Sequence, residues 1–200
     1  MSISKSRKIF AARNFWRTFP VYLCVLCSKQ KKLIKMDIAR WNEIHSLKQG
    51  MFFSLNWYLT KEKQFRNLLQ HRLKNPSRSL SGWFHFAIAR ILWKPLDSLY
   101  LNTKSIGGGL YIQHGFSTIV SAEKIGENCK IYQQVTIGYK GYSAPVLEDN
   151  VSVTCGAKVL GGLIMHNNSI AGAGSVVVKD VPENAIVAGV PAKIIGYVDK

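Results

Sequence analysis

The sequence predicts an α+β chain, helical in its first half and built in its second half as a parallel β-helix of short stacked strands. Two observations predict this. Residues 1–105 hold 20 Lys and Arg against 4 Asp and Glu, whereas residues 106–200 hold 7 of each. The hydrophobic period changes at the same place, from helical spacing to a repeat of six. Both place a boundary near Lys104, so residues 1–103 read as a basic helical region and residues 104–200 as a β-helical domain. At 47% hydrophobic and 11% aromatic, the 200 residues are sufficient for a packed core.

Within the first half, residues 1–36 carry nine basic residues and no acid. The apolar run FPVYLCVLC (Phe19–Cys27) is far short of the roughly 20 residues a membrane span needs. No small-residue cleavage site follows it, and KQKKLIK comes directly afterwards, which disfavours a secretory signal. The chain therefore reads as cytoplasmic. Its basic N-terminus either lies on an anionic membrane surface or forms the solvated face of an inward-packing helix. Nucleic acid is the lesser partner, since no recognition motif accompanies the charge. Cys24 and Cys27 form a CxxC without a second pair at zinc-finger spacing, and in this apolar run both read as small hydrophobes of the core. No metal site is expected.

Apolar residues then recur at helical spacing: Leu33, Met36, Trp41, Ile44, Leu47, Phe53, Trp57, Phe65, Leu68 and Leu69. MDIARWNEI and NWYLTKEKQFRNLLQHRLK are the clearest helical segments. NPSRS (Asn75–Ser79) interrupts the pattern, and GWFHFAIARILW resumes it as far as Pro95. His45, His71 and His85 lie on these helices without a carboxylate at helical spacing and read as structural.

From Ile106 the chain divides into frames of six: IGGGLY, IQHGFS, then after Thr118 IVSAEK, IGENCK, IYQQVT and IGYKGY. A ten-residue step leads to LEDNVS, VTCGAK, VLGGLI, MHNNSI and AGAGSV. An aliphatic residue opens nearly every frame (Ile106, Ile112, Ile119, Ile125, Ile131, Ile137, Leu147, Val153, Val159, Met165), and the fifth position is often small. A helix of about 3.6 residues per turn would scatter these positions around its circumference. A short strand followed by a corner returns every sixth residue to one inward station. Three such faces close a triangular coil, and the coils stack about 4.8 Å apart. Terminal coils of such a stack need capping, which the N-terminal helices can provide at one end.

These frames, with AGAGSVVVKDVP and above all AGVPAKIIG (Ala188–Gly196), resemble the hexapeptide-repeat acyltransferases, in the branch that includes serine acetyltransferase and the O-acetyltransferases of bacterial surface polysaccharides. The resemblance covers about the last 95 residues. It implies a left-handed β-helix, a homotrimer and acetyl-CoA as co-substrate.

O-acetylation by a thioester requires a base that takes the proton of an attacking hydroxyl, and histidine suits that task near neutral pH. His114, in YIQHGF, stands where the resemblance places the catalytic histidine and lies outside the inward station. The resemblance also implies that acetyl-CoA lies between subunits, its pantetheine arm against Gly156, Ala157, Ala173 and Gly174 and its phosphates near Lys193. Cys129 sits at an interior small-residue station and Cys155 has no adjacent base, so direct transfer is favoured over an acyl-enzyme. His166 sits at a corner and reads as exposed scaffold.

Three departures bear on the acceptor. The family's acid before the catalytic histidine is Gln113 here. The upstream orienting Asp falls at Leu99, with Asp97 two residues away, and the His-Pro pair is Ala144-Pro145. An ammonium group bound without a nearby carboxylate would leave a desolvated charge unpaired. The expected acceptor is therefore a saccharide, hydrogen-bonded by Gln113, with L-serine as the alternative. The ten-residue step makes YKGYSAP a protruding loop whose Tyr139, Tyr142 and Ser143 would flank a sugar. A trimeric scaffold without catalysis is the reading of a different class, supported by the missing acids and opposed by the QHGF and GVPAK segments.

Overall fold

The computed structural model describes residues 3–74 and 80–198, with side chains over 14–74 and 83–198. The chain divides into two compact units, Met1–Leu96 and Asp97–Lys200. The sequence boundary at 103/104 lies a few residues later, after the first β-strand has already formed. The interruption expected at Asn75–Ser79 lies outside the described residues.

The first unit contains α1 (Ile3–Cys27), α2 (Lys31–Ile44), α3 (Met51–Lys61), α4 (Lys63–Lys74) and α5 (Leu80–Leu92). The single helix expected through NWYLTKEKQFRNLLQHRLK is two, because Glu62 adopts an extended conformation (φ −116°, ψ 92°) between α3 and α4. The carbonyls left over at the end of α3 are taken up by the next helix. Arg66 donates to Leu59 O at 2.6 Å and to Thr60 O at 3.1 Å, and its guanidinium also reaches Lys94 O at 2.8 Å.

The core of this unit is aromatic. Trp41, Tyr58 and Phe65 are buried, with ring centroids 5.0 to 5.4 Å apart. Beside them Arg72 donates to Asp37 through Nε (2.9 Å) and Nη2 (3.1 Å), a two-pronged ion pair with both side chains buried. Cys24 is buried as expected, but Cys27, on the last turn of α1, is exposed and so is no part of the core. No helix among the described residues is long and apolar enough to cross a membrane.

The second unit is a left-handed parallel β-helix of about five turns. Its strands are β1 (Leu99–Leu101), β2 (Ser105–Ile106), β3 (Tyr111–Ile112), β4 (Thr118–Val120), β5 (Lys124–Ile125), β6 (Lys130–Ile131), β7 (Thr136–Gly138), β8 (Val146–Leu147), β9 (Ser152–Val153), β10 (Lys158–Leu160), β11 (Ile164–Met165), β12 (Ile170–Ala171), β13 (Val176–Val177), β14 (Ala185–Gly189) and β15 (Ala192–Tyr197). As far as β13 every third strand pairs in parallel, and β14 pairs with β12, giving three faces: β1-β4-β7-β10-β13, β2-β5-β8-β11 and β3-β6-β9-β12-β14. β15 turns back antiparallel on β14 and ends the third face.

Register defines three inward columns. Val120, Ile137, Val159 and Val177 line the first face, Ile125, Leu147 and Met165 the second, and Ile112, Ile131, Val153 and Ala171 the third. All of them are buried. One expected station is displaced. Ile119 is 43% exposed and Val120, at 0%, is the inward residue. The corner between β3 and β4 is the cause: Val120 follows Ile112 by eight residues, whereas Ile137 follows Ile131, and Val159 follows Val153, by six.

Removing one partner of the buried ion pair leaves an uncompensated charge, so Asp37→Ala should destabilise the helical unit by about 3–5 kcal/mol. Urea unfolding followed by tryptophan fluorescence measures this, since all five tryptophans of the chain lie in the helical unit.

Candidate active site

A β-helix presents chemistry at its corners, because strand residues point either into the core or outward from a flat face. The corner joining the third face to the first passes through Gln113–Ser117, then Tyr132–Val135, Thr154–Ala157 and Gly172–Ser175 in successive coils. His114 lies on this edge, two residues beyond the inward Ile112. Gln133, Cys155 and Ala173 follow their own inward residues, Ile131, Val153 and Ala171, by the same two.

His114 is the apex of a three-residue turn. Gly115 N–H donates to Gln113 O at 2.7 Å, and His114 itself has φ 61°. A non-glycine residue held in this region costs on the order of 1 kcal/mol and persists only when its surroundings impose it. They do so here. Thr118 Oγ1 donates to Phe116 O at 3.0 Å, and Phe116 O also accepts Gln134 N–H of the next coil at 2.9 Å. The turn throws the imidazole outward into solvent. Among the described residues no hydrogen bond or ion pair reaches it, and Leu99, at the position of the expected orienting acid, is buried. Asp97 lies exposed in the turn before β1.

Past Gln133, the exposed Gln134 and Cys155, the same edge narrows to small residues. Gly156 (φ 72°) and Gly174 (φ 67°) occupy equivalent left-handed corners, and a Cβ on Gly174 would meet nothing within 4 Å. Ala173 is exposed beside it. Ala157 is different: it is fully buried, its methyl on the inner side of the corner, so it shapes the edge from within. Gly172 was not singled out from the sequence, yet a Cβ there would stand 2.9 Å from Val187 O and 3.1 Å from Ala188 Cβ. It permits the last coil to seat. Ala188 pairs with Lys193, which is exposed on β15. His114, Gly156, Ala173 and Gly174 are therefore aligned along one edge that leads toward Lys193.

The loop is elsewhere. Tyr139, Tyr142 and Ser143 lie between β7 and β8, on the corner joining the first face to the second. Lys140 N–H donates to Ser143 O at 3.1 Å, closing a tight turn that leaves Tyr142 fully exposed. The turn sits over the glycines of the next coil, where a Cβ on Gly162 would come within 2.7 Å of Ser143 Cβ. Within one chain this loop and His114 occupy different edges.

Burial removes Cys129 from the chemistry. Its Sγ donates to Glu148 O at 3.1 Å, and desolvation pushes the thiol from 9.0 up to about 12. His166 pairs with Glu148 (Nδ1 to Oε2, 3.2 Å) at a partly exposed corner, a scaffold role. The left-handed residue of that corner is Asn168, two residues on. Among the described residues no group of His, Cys, Asp and Glu is placed to hold a metal ion.

This fold and this edge define a hexapeptide-repeat β-helix protein, and the comparisons with known proteins place it beside one group. The chain is similar to the serine acetyltransferase of Synechococcus elongatus, 42% identical over 95 residues, which are 45% of this chain and 39% of that protein. It thus spans well under half the length of that curated relative. Among solved structures it is similar to the serine acetyltransferase of Brucella abortus (TM-score 0.62, 27% identity, 84% of this chain and 70% of that one), a protein also solved in complex with coenzyme A (TM-score 0.59, 25% identity). It is similar as well to the serine acetyltransferase of Neisseria gonorrhoeae in complex with serine (TM-score 0.62, 26% identity, 89% of this chain and 74% of that one). No protein-family profile matches the chain.

In the folded protein Cys129 should resist alkylation at about pH 8 while the exposed Cys27 reacts, a difference read by mass spectrometry with and without denaturant. The raised value also fixes a sign. The folded state holds the thiol proton more tightly than the unfolded state, so this contribution to stability is intact below 9.0 and is lost as pH rises toward about 12.

Proposed function

We propose that the chain is a cytoplasmic, acetyl-CoA-dependent O-acetyltransferase that acts as a homotrimer, with His114 as general base. The observation that carries this reading is the alignment of the outward His114 turn with the bare Gly156–Gly174 edge and Lys193. Acetyl-CoA supplies an activated acetyl carbonyl. The open edge suits the thin pantetheine arm, and Lys193 suits its phosphates. His114 takes the proton of the acceptor hydroxyl as its oxygen bonds to the carbonyl carbon. As the carbon–sulfur bond breaks, the imidazolium returns that proton to the departing thiolate. Assembly follows from the edges: Tyr139 and Tyr142 meet His114 only if another copy brings its loop to this corner.

The similar proteins support L-serine as the acceptor, since those named above are serine acetyltransferases and one is solved with serine. They do not support the saccharide expected from the sequence. A saccharide stands as the second reading on one observation: Gln113 adjoins His114, Leu99 is buried, and neither supplies a carboxylate to pair an ammonium group. Gln113 offers an amide able to donate to, or accept from, a neutral sugar hydroxyl.

Release of free CoA, followed with L-serine and with a panel of sugars, distinguishes the two acceptors. If neither supports release, the chain is a scaffold. On the competent acceptor, His114→Ala should lower turnover by about 10²- to 10⁴-fold with the circular dichroism spectrum of the parent retained, and near-normal turnover would remove His114 from its role. Two inactive variants, His114→Ala and Tyr139→Ala/Tyr142→Ala, should regain part of the activity when co-assembled, because a mixed trimer contains one corner with both elements intact. Additivity of the two inactive preparations would refute the shared site.

A further inference from the structure

We propose that the helical unit docks on an anionic lipid bilayer through an aromatic face of α1 and α3, lying in the interface without crossing it. On α1, Phe15, Phe19 and Leu23 follow one another at intervals of four, with Trp16 adjoining them, and all four are exposed, Trp16 by 67%. The stripe continues onto α3. Phe15 stacks on Phe19 (5.5 Å) and touches Phe52 (5.4 Å), and Phe52 meets Phe53 edge-on (5.8 Å), which is itself 54% exposed. Large apolar side chains gathered on one face need a partner that removes them from water.

Charge identifies that partner. Lys29, Lys32 and Lys35 are exposed just past the end of α1, and residues 1–36 contain no acid. The unit's three acids are engaged within it: Asp37 with Arg72, Glu43 with Arg40, and Glu62 with Gln64. A second copy carries the same excess of positive charge and so brings these lysines no counter-charge. The stripe's hydrogen-bonding side chains are the indole of Trp16 and the phenol of Tyr22, which packs edge-on against Phe52 at 5.3 Å, and it runs into aliphatic Leu23, an amphipathic-ring and aliphatic composition suited to the headgroup and acyl boundary. An anionic bilayer accommodates both features, the rings entering the headgroup region and the lysines meeting lipid phosphates.

The test is flotation of the full chain with vesicles of phosphatidylcholine alone and of phosphatidylcholine with phosphatidylglycerol. Binding is expected to the anionic vesicles and to fall as salt is raised. Trp16→Gln/Phe53→Gln should weaken it about ten-fold or more with circular dichroism and oligomeric state unchanged. Lys29→Gln/Lys32→Gln/Lys35→Gln, whose exposed side chains leave folding untouched, should weaken it on anionic vesicles and flatten its salt dependence. The proposal is overturned if the full chain stays unbound to anionic vesicles, or if the aromatic variant floats as the parent does. It is equally overturned if that variant alters subunit association instead, or if the face binds single-stranded RNA and not lipid. The readout is binding, so none of these outcomes bears on the proposed acetyl transfer.

Discussion

Everything in the β-helical unit depends on backbone groups of one coil finding partners in the next, in register. Ile131 O accepts Gln113 N–H at 2.9 Å, and Val153 O accepts Tyr132 N–H at 3.0 Å, so each coil is the template for the one after it. Two residues per strand are enough because no strand acts alone. The inward columns then close the core. The corner after the second face is held by Gly109, Asn128, Asn150, Asn168 and Asn184, all left-handed, the conformation that asparagine and glycine adopt at least cost. Asn168 Nδ2 donates to Asn184 Oδ1 at 3.0 Å, so part of this corner is also tied from coil to coil.

That template tolerates added residues at corners alone, since an insertion within a strand would turn its inward side chain outward. From Ile106 to Val177 the step between inward residues exceeds six in two places: eight between Ile112 and Val120, and ten between Ile137 and Leu147. The first exposes His114 and the second exposes Tyr142. The His114 turn and the Tyr142 loop are thus the two irregularities that the stack carries without losing register.

The helical unit is held by different means, an aromatic cluster around Trp41 and a buried ion pair whose members are 35 residues apart in sequence. One face of its α1 exposes rings, and exposed lysines follow beyond the end of that helix. The β-helix balances its charge and this unit does not, which is why a charged surface is the natural neighbour of one half of the chain alone.

The sequence by itself determined the β-helix, its inward residues and the interior place of Cys129, because a period of six is a local property that short stretches display. It placed Ile119 inward where Val120 stands, since both are aliphatic and the length of the preceding corner is set by pairing with the next coil. The break at Glu62 was equally hidden: no glycine or proline marks it, and Arg66, a turn further on, supplies the cap. Histidine and loop were both legible as chemistry, but their separation onto two edges was not. The edge a residue occupies is the sum of all the steps before it around a three-sided stack, and only the closed tertiary structure performs that sum.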